Sequence, residues 1–281
     1  MYYKQESYNN DNPTLYLVAT PIGNLEELTP RAIKILNEVS IIACEDTRNT
    51  IKLLSHFGIK TKLITYHNFN EDSSSEGLIK LMMEGNSVAL VSDAGYPLVQ
   101  DPGVSIVNKC IEHGFNVVTI SGANASINAL VSSGLRVEPH LFYGFLSSNQ
   151  NQVKKELELI KELPYTLVFY ESVHRINKTL DSLLEILGDR KICLCRELTK
   201  KFETFYRGTI TEIIANFNDN KGEFVIVVDG YQEDINEEDL INLALLDVQN
   251  DITNGLSKSD AIKNACKKYN LKKNSIYNLV H

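Results

Sequence analysis

The sequence predicts an α/β protein: two α/β domains followed by a small C-terminal helical extension. Three observations predict it. Short Val- and Ile-rich runs alternate with helical patterns from residue 15 to residue 228, and such units imply mainly parallel sheets covered by helices. About ten strand candidates over that length fit two domains, with a break near "SGLRVEP" (133–139). Charge then changes abruptly: residues 229–251 hold eight acids and no Lys or Arg, whereas 255–281 hold six Lys and one Asp. The boundaries read from this are 13–135, 136–231, and an acidic linker with a basic helical tail over 232–281.

The elements follow in order. "LYLVAT" (15–20) is strand-like, and "LTPRAIKILNEV" (28–39) is a helix with Thr29 as N-cap and Pro30 at its first position. "IIACED" (41–46) is a strand, and "NTIKLLSHFG" (49–58) a helix ending at Gly58. "KLITYH" (62–67) precedes a Ser-capped helix that ends near Gly85. "SVALVSD" (87–93) leads to a helix opened by Asp101 and Pro102, and "NVVTIS" (116–121) to a helix over 124–134. Beyond the break, strands are expected at 140–145, 166–171, 191–198 and 222–228, with helices near 150–163 and 173–187. The last thirty residues read as short helices in which Ala261, Ile262, Ala265 and Tyr269 share a face, and Leu271, Ile276, Tyr277 and Leu279 close over it.

Composition narrows the function. No apolar run reaches the roughly 18 residues a membrane span needs, and the polar N-terminus lacks an apolar signal core, so a cytoplasmic protein is expected. The five cysteines include no C-x-x-C and no ligand set for zinc, so no metal is expected and the thiols read as buried apolar groups. Cys193 and Cys195 should share one strand face. A net charge of −8 argues against a nonspecific nucleic-acid binder.

Open α/β sheets bind ligands at the carboxyl ends of their strands. Here those ends carry Glu45-Asp46-Thr47-Arg48, Asp93-Ala94-Gly95, Glu171-Ser172 and Arg196-Glu197. No glycine-rich phosphate cradle follows a strand. Carboxylates suit hydroxyls, amines or a cation, and S-adenosylmethionine (SAM) presents all three; a single strand-end Asp serves equally well as a helix N-cap.

Six stretches, "LYLVATPIGNLEELTPRAIKIL", "IIACEDTRNTIKLLSHFGI", "ALVSDAGYPLVQDPG", "SINALVSSGL", "LVFYESVHRI" and "CRELTKKFE", occur in order between Leu15 and Gly230. Together they resemble the ribosomal RNA small subunit methyltransferase I family, within the tetrapyrrole (corrin/porphyrin) methylase superfamily. The resemblance implies two α/β domains of the tetrapyrrole methylase type with SAM in the cleft between them, and a homodimer. It implies methyl transfer to the ribose 2′-hydroxyl of a cytidine in 16S rRNA of the 30S subunit. The basic tail resembles that family's helix-turn-helix-like extension.

SAM contacts carry over to Pro21, Asp93, Gly95, Tyr96, Ser126, Ile127 and Tyr170. The chain departs from the family pattern at Ser121, at Val173 and at Ser147-Ser148-Asn149, where the last change removes two positive charges. On the substrate side the candidates are Arg48, His67, Arg175, Arg196 and Lys200, with Glu45, Asp46, Glu171 and Glu197 as base or orienter. The set taken as catalytic is Glu45, Arg48, Arg175, Glu197 and Lys200. Each has a plainer reading: Glu197 as an ion-pair partner, His67 as a turn residue, "EDTR" as a helix cap. Alternative functions are methylation of a tetrapyrrole or a protein on the same fold, or a nonenzymatic SAM- or RNA-binding module.

Overall fold

The computed structural model describes residues 4–7, 9–66, 71–219, 221–233 and 237–280. Through residue 231 the chain forms one unit containing two five-stranded sheets, and residues 232–281 form a second unit.

The first sheet contains β1 (Thr14–Val18), β2 (Ile41–Cys44), β3 (Leu63–Thr65), β4 (Val88–Val91) and β5 (Asn116–Ile120), in the order β3-β2-β4-β1-β5. All of its pairings are parallel. Side chains alternate between two buried faces, as a strand's period of two requires. Ala89 and Val91 pack with Leu36 of α1 (Pro30–Glu38) and Leu54 of α2 (Thr47–His56). Val88 and Leu90 pack with Met82 of α3 (Glu71–Met83) and Ile106 of α4 (Val104–Glu112).

The helix starts test the sequence signals. Thr29 caps α1 by accepting from the Ala32 amide at 3.1 Å, and Asp46 caps α2 by accepting from the Arg48 amide at 2.8 Å, two residues earlier than expected for that helix. Two expectations fail. The serines at 73–75 lie inside α3 rather than at its start. α4 begins at Val104 on Gly103, whose φ of 144° only glycine tolerates, so Asp101 is not its cap.

The second sheet contains β6 (His140–Phe145), β7 (Thr166–Ser172), β8 (Lys191–Arg196), β9 (Thr204–Thr209) and β10 (Glu223–Val228), in the order β6-β7-β10-β8-β9. Only β6 and β7 pair in parallel; β7–β10, β10–β8 and β8–β9 are antiparallel. This corrects the expectation of a mainly parallel second sheet. β7 and β8 run the same way, joined by α7 (Ile176–Leu187), but they leave a gap between them that β10 fills from the opposite direction. β9 was not expected, because "TFYRGT" follows β8 without the intervening helix that marks an α/β unit. One face of this sheet packs on α6 (Gln150–Ile160), α7 and α8 (Ile210–Asn216). The other takes Ala129 and Leu130 of α5 (Ala125–Ser132) against Val168, Cys193, Cys195, Val225 and Val227. So α5, which follows the first sheet in sequence, seals the second. All five thiols are buried and free, and Cys193 and Cys195 lie side by side with sulfurs 3.6 Å apart.

In the second unit the segment expected as an acidic linker carries α9 (Glu237–Thr253). α10 (Lys258–Tyr269) and α11 (Lys273–Tyr277) complete it. Ala244 and Val248 pack with Ala261, Ile262, Ala265, Cys266 and Ile276. Tyr277 and Leu279, expected inside, are exposed. Among the described residues no helix is long and apolar enough to cross a membrane.

Candidate active site

The carboxyl ends of β1 and β4 are tied together before any functional side chain is placed. Thr20 and Gly95 exchange two backbone hydrogen bonds, 2.9 and 3.0 Å, and the Ser92 hydroxyl donates to the Gly95 carbonyl at 2.8 Å. Gly95 turns at φ 77°. Beyond it Leu98 and Gln100 also have positive φ, 71° and 69°, a conformation that costs non-glycine residues about 1 kcal/mol or more and gathers at functional loops. Tyr96 reaches across to β5, where its hydroxyl accepts from the Gly122 amide at 3.1 Å. A Cβ on Gly122 would sit 2.9 Å from the Ala19 side chain, so that turn must be glycine whatever precedes it, Ser121 included.

This loop forms one wall of a cavity of about 420 Å³, within the range of small-molecule sites. Ile22, Asp93, Gly95, Tyr96, Gln100 and Asp101 line it from the first sheet, and Asn124 and Ala125 from the start of α5. Across from them stand Phe145, Tyr170, Leu198, Lys200, Glu223 and Val225. The two walls meet at close approaches. The Tyr170 hydroxyl accepts from the Ser126 amide at 3.2 Å, while its ring makes edge contacts with Phe142 and Phe145. Burial pushes the Tyr170 hydroxyl above its ordinary pKa. A Cβ on Gly144 would strike the Gln100 amide, and one on Gly23 would strike Lys200, so both glycines let the facing loop come in.

Charge in the cavity is mostly negative: Asp93, Asp101, Glu171 and Glu223 against Lys200. Asp93 is exposed and accepts from the Asn49 amide nitrogen at 2.9 Å. Asp101 is half-buried; burial first, then repulsion by Glu45 and Asp93, pushes its carboxyl up to about 6. Glu171 lines the cavity but is committed to the fold. It is 2% exposed, and it accepts from Thr179 Oγ1 at 2.6 Å and from the Ser172 amide at 2.8 Å.

The basic candidates are committed too. Arg175 stands 3.5 Å from Glu171 and donates to the carbonyls of Leu146 (2.8 Å) and Ser147 (2.7 Å). Arg196 donates to the Lys221 carbonyl at 2.8 Å and pairs with Asp219 at 3.7 Å. Lys200 bridges Glu197 (3.1 Å) and Glu223 (2.7 Å); burial alone would lower its pKa, but the two carboxylates outweigh it and raise it. Burial acts to raise Glu197, and the Glu223 amide and Lys200 together bring it below its ordinary value. Arg48 is 86% exposed and folds back on Asp46 at 2.7 Å, which holds the Asp46 carboxyl at about 2.

The structure therefore brings Asp93, Gly95, Tyr96, Tyr170 and Lys200 into the lining. Pro21, Ser126 and Ile127 adjoin lining residues without being among them, and Glu45, Arg48, Arg175 and Glu197 lie outside the lining. His67 lies outside the described residues. Sequence reasoning missed Asp101 because Asp-Pro-Gly reads as a helix start, and missed Gln100 because nothing marks its backbone in advance. The Ser147-Ser148-Asn149 stretch has a local structural role: Asn149 caps α6 by accepting from the Asn151 amide at 2.9 Å.

Residues 14–214 match the family model of Tetrapyrrole (Corrin/Porphyrin) Methylases. The chain belongs to this family. It is 46% identical to the ribosomal RNA small subunit methyltransferase I of Halalkalibacterium halodurans, over 99% of this chain and 98% of that one. The enzyme of the same name from Bacillus subtilis is 45% identical, over 99% and 98%. That of Escherichia coli O157:H7 is 40% identical, over 98% and 96%. These identities over nearly full length place this methylase in the small subunit methyltransferase I branch. Among solved structures, the uroporphyrin-III-C-methyltransferase of Thermus thermophilus superposes with a TM-score of 0.54, covering 78% of this chain and 94% of that one at 19% identity. A diphthine synthase gives 0.59, over 78% and 90% at 13% identity. Both share the fold.

Proposed function

We propose that this methylase is a SAM-dependent rRNA methyltransferase, acting in the cytoplasm on the ribose 2′-hydroxyl of a cytidine in 16S rRNA within the 30S subunit. One observation carries the reading: the chain aligns almost end to end with relatives named for small-subunit rRNA methylation.

The donor set fits SAM. Three features support a cationic ligand over a polyphosphate: carboxylates outnumber the lysine, that lysine is already paired twice, and aromatic rings line the space. When bound, SAM supplies an electrophilic methyl on a positively charged sulfur. The chain's part is to hold and orient. Asp93 and the Gly95–Tyr96 turn would hold the ligand from the first sheet, with the Pro21 backbone beside them. Asn124 and Ala125, at the start of α5, border the space, and Ser126 and Ile127 adjoin them. Tyr170, Leu198 and Val225 exclude water from the other side. In-line placement of acceptor oxygen, methyl and sulfur supplies much of such a rate enhancement. Arg48 in the first unit and, separately, the tail lysines in the second are the candidate RNA contacts, and a homodimer is expected from the family. The test is incubation with labelled SAM and 30S subunits lacking the modification, followed by nuclease digestion and mass spectrometry. Label on a cytidine ribose supports the reading, and label on a base or on protein overturns it. Sedimentation checks the dimer.

A further inference from the structure

Asp101 has no role in holding the fold. It does not cap α4, and among the described residues its carboxylate makes no hydrogen bond or ion pair. The other lining carboxylates are engaged: Asp93 with Asn49, Glu171 with Thr179 and Arg175, Glu223 with Lys200. Asp101 is thus a half-buried acid in the cavity lining whose carboxylate has no hydrogen-bond or ion-pair partner among the described residues.

We propose that Asp101 accepts the proton released by the acceptor hydroxyl during methyl transfer. This rests on reading the chain as a SAM-dependent ribose methyltransferase. The step balances as follows. The hydroxyl oxygen forms a bond to the methyl carbon, the carbon–sulfur pair stays on sulfur, and the hydroxyl proton passes to an Asp101 oxygen. A ribose hydroxyl is a poor acid, and a base whose pKa lies near the working pH is the effective kind. The surrounding charges also time its strength. Glu45 and Asp93 repel the Asp101 charge, Tyr170 feels it from β7, and Lys200 faces the cavity from the far wall with its charge shared by two carboxylates. A cation in the cavity offsets that repulsion and keeps Asp101 ionised. Once sulfur is neutral the offset is gone, and the affinity of Asp101 for a proton rises as the proton arrives.

The test compares wild type with Asp101→Asn and Asp101→Glu. Calorimetry of SAM binding at pH 6, in buffers of different ionisation enthalpy, should show protons released by wild type on binding SAM and far fewer on binding the neutral-sulfur product. Asp101→Asn should abolish the difference, and its SAM affinity at pH 8 should fall by the factor that the wild-type proton release implies, because the neutral amide cannot offset the sulfonium charge. Its kcat on 30S subunits should fall about 10²–10⁴-fold and lose the acid limb of its pH profile, with partial rescue in Asp101→Glu. Stability gives a readout independent of activity. The folded pKa of about 6 lies above the ordinary 3.8, so the folded chain holds this proton more tightly than the unfolded one. Stability is lost as pH rises from 3.8 through 6, and Asp101→Asn should raise the melting temperature at pH 8 and barely at pH 4. A folded Asp101→Asn with kcat within threefold of wild type overturns the proposal. So does proton release that persists in that variant, which would point to Asp93 or Glu45, and so does a loss of SAM affinity at pH 8 far larger than the wild-type proton release accounts for. Wild type that binds SAM yet methylates no rRNA sinks the functional reading first, and this one with it.

Discussion

Two loops border the cavity, and they are built on opposite principles. The loop after β4, residues 92–103, ties up its backbone and leaves Asp93 and Asp101 turned toward the ligand space. The loop after β8, residues 197–203, bends through positive φ at Glu197 and Thr199 and spends its charges on itself. Lys200 lies between two acids, and Arg175 and Arg196 nearby are donors to main-chain carbonyls. Residue type alone is therefore a poor guide to role here. The arginines that looked like RNA contacts brace loops, whereas an aspartate that looked like a helix cap is open.

Arg175→Ala tests this contrast hardest. It deletes two bonds to carbonyls and leaves Glu171 buried beside no cation, so the chain should lose about 2–4 kcal/mol in urea unfolding. Arg175→Lys should recover little of it, because a single ammonium cannot reproduce the planar fork. An unchanged unfolding midpoint would return Arg175 to the RNA side. Asp93→Ala should weaken SAM binding more than tenfold, about 1.5–3 kcal/mol, without lowering stability. Equal SAM affinity by calorimetry would empty that wall of its role.

Removing residues 232–281 sharpens the contrast from outside the cavity. The cut belongs at 232, because a later one would strip the cover from Ala244 and Val248. Lys258 and Lys268 are held by the Val280 carbonyl and Asp247, which leaves Lys263, Lys267, Lys272 and Lys273 for phosphates. For every phosphate that the shortened chain no longer neutralises, the salt dependence of 30S binding should flatten by about 0.7–0.9, with SAM affinity unchanged. An unaltered slope would mean that the tail does not touch RNA. The smallest effect is expected of Arg48→Ala. Its pair with Asp46 is exposed, so the melting temperature at pH 7 should hold within about a degree. NMR should show the Asp46 carboxyl rising from about 2 toward its ordinary 3.8, and the KM for 30S subunits should rise if Arg48 faces RNA.

Strand positions were legible because apolar runs of Val and Ile are confined to the sheets. Strand direction in the second half was not. Alternation of strand and helix reports which strands a helix joins, and says nothing of a later strand entering the gap between them. β9 was hidden because its six residues mix Thr, Arg and Gly with two aromatics. α9 was hidden by its acids, which mask the Ala244–Val248 pair that packs it. Of the site, the residues that reach the cavity through a marked turn, Asp93 to Tyr96, were readable. Those whose partners come from distant segments were not: Arg175 finds the 146–147 carbonyls, and Arg196 the 221 carbonyl, only after the sheet has formed.

β10 occupies the middle of its sheet and is the last strand to leave the ribosome that makes it. Until about residue 228 has emerged, β7 and β8 are two facing edges of unpaired amides and carbonyls, flanked by Leu167, Phe169, Ile192 and Leu194. The nascent chain carries an open, sticky slot for the thirty or so residues of synthesis that separate β8 from β10, which makes it a natural client for a holding chaperone. Glu223, Phe224 and Val225 come with the same strand, so the ligand wall and the sheet are completed in a single event. A chain stopped before residue 223 should thus be insoluble as well as inactive, whereas one stopped after 231 should keep both sheets.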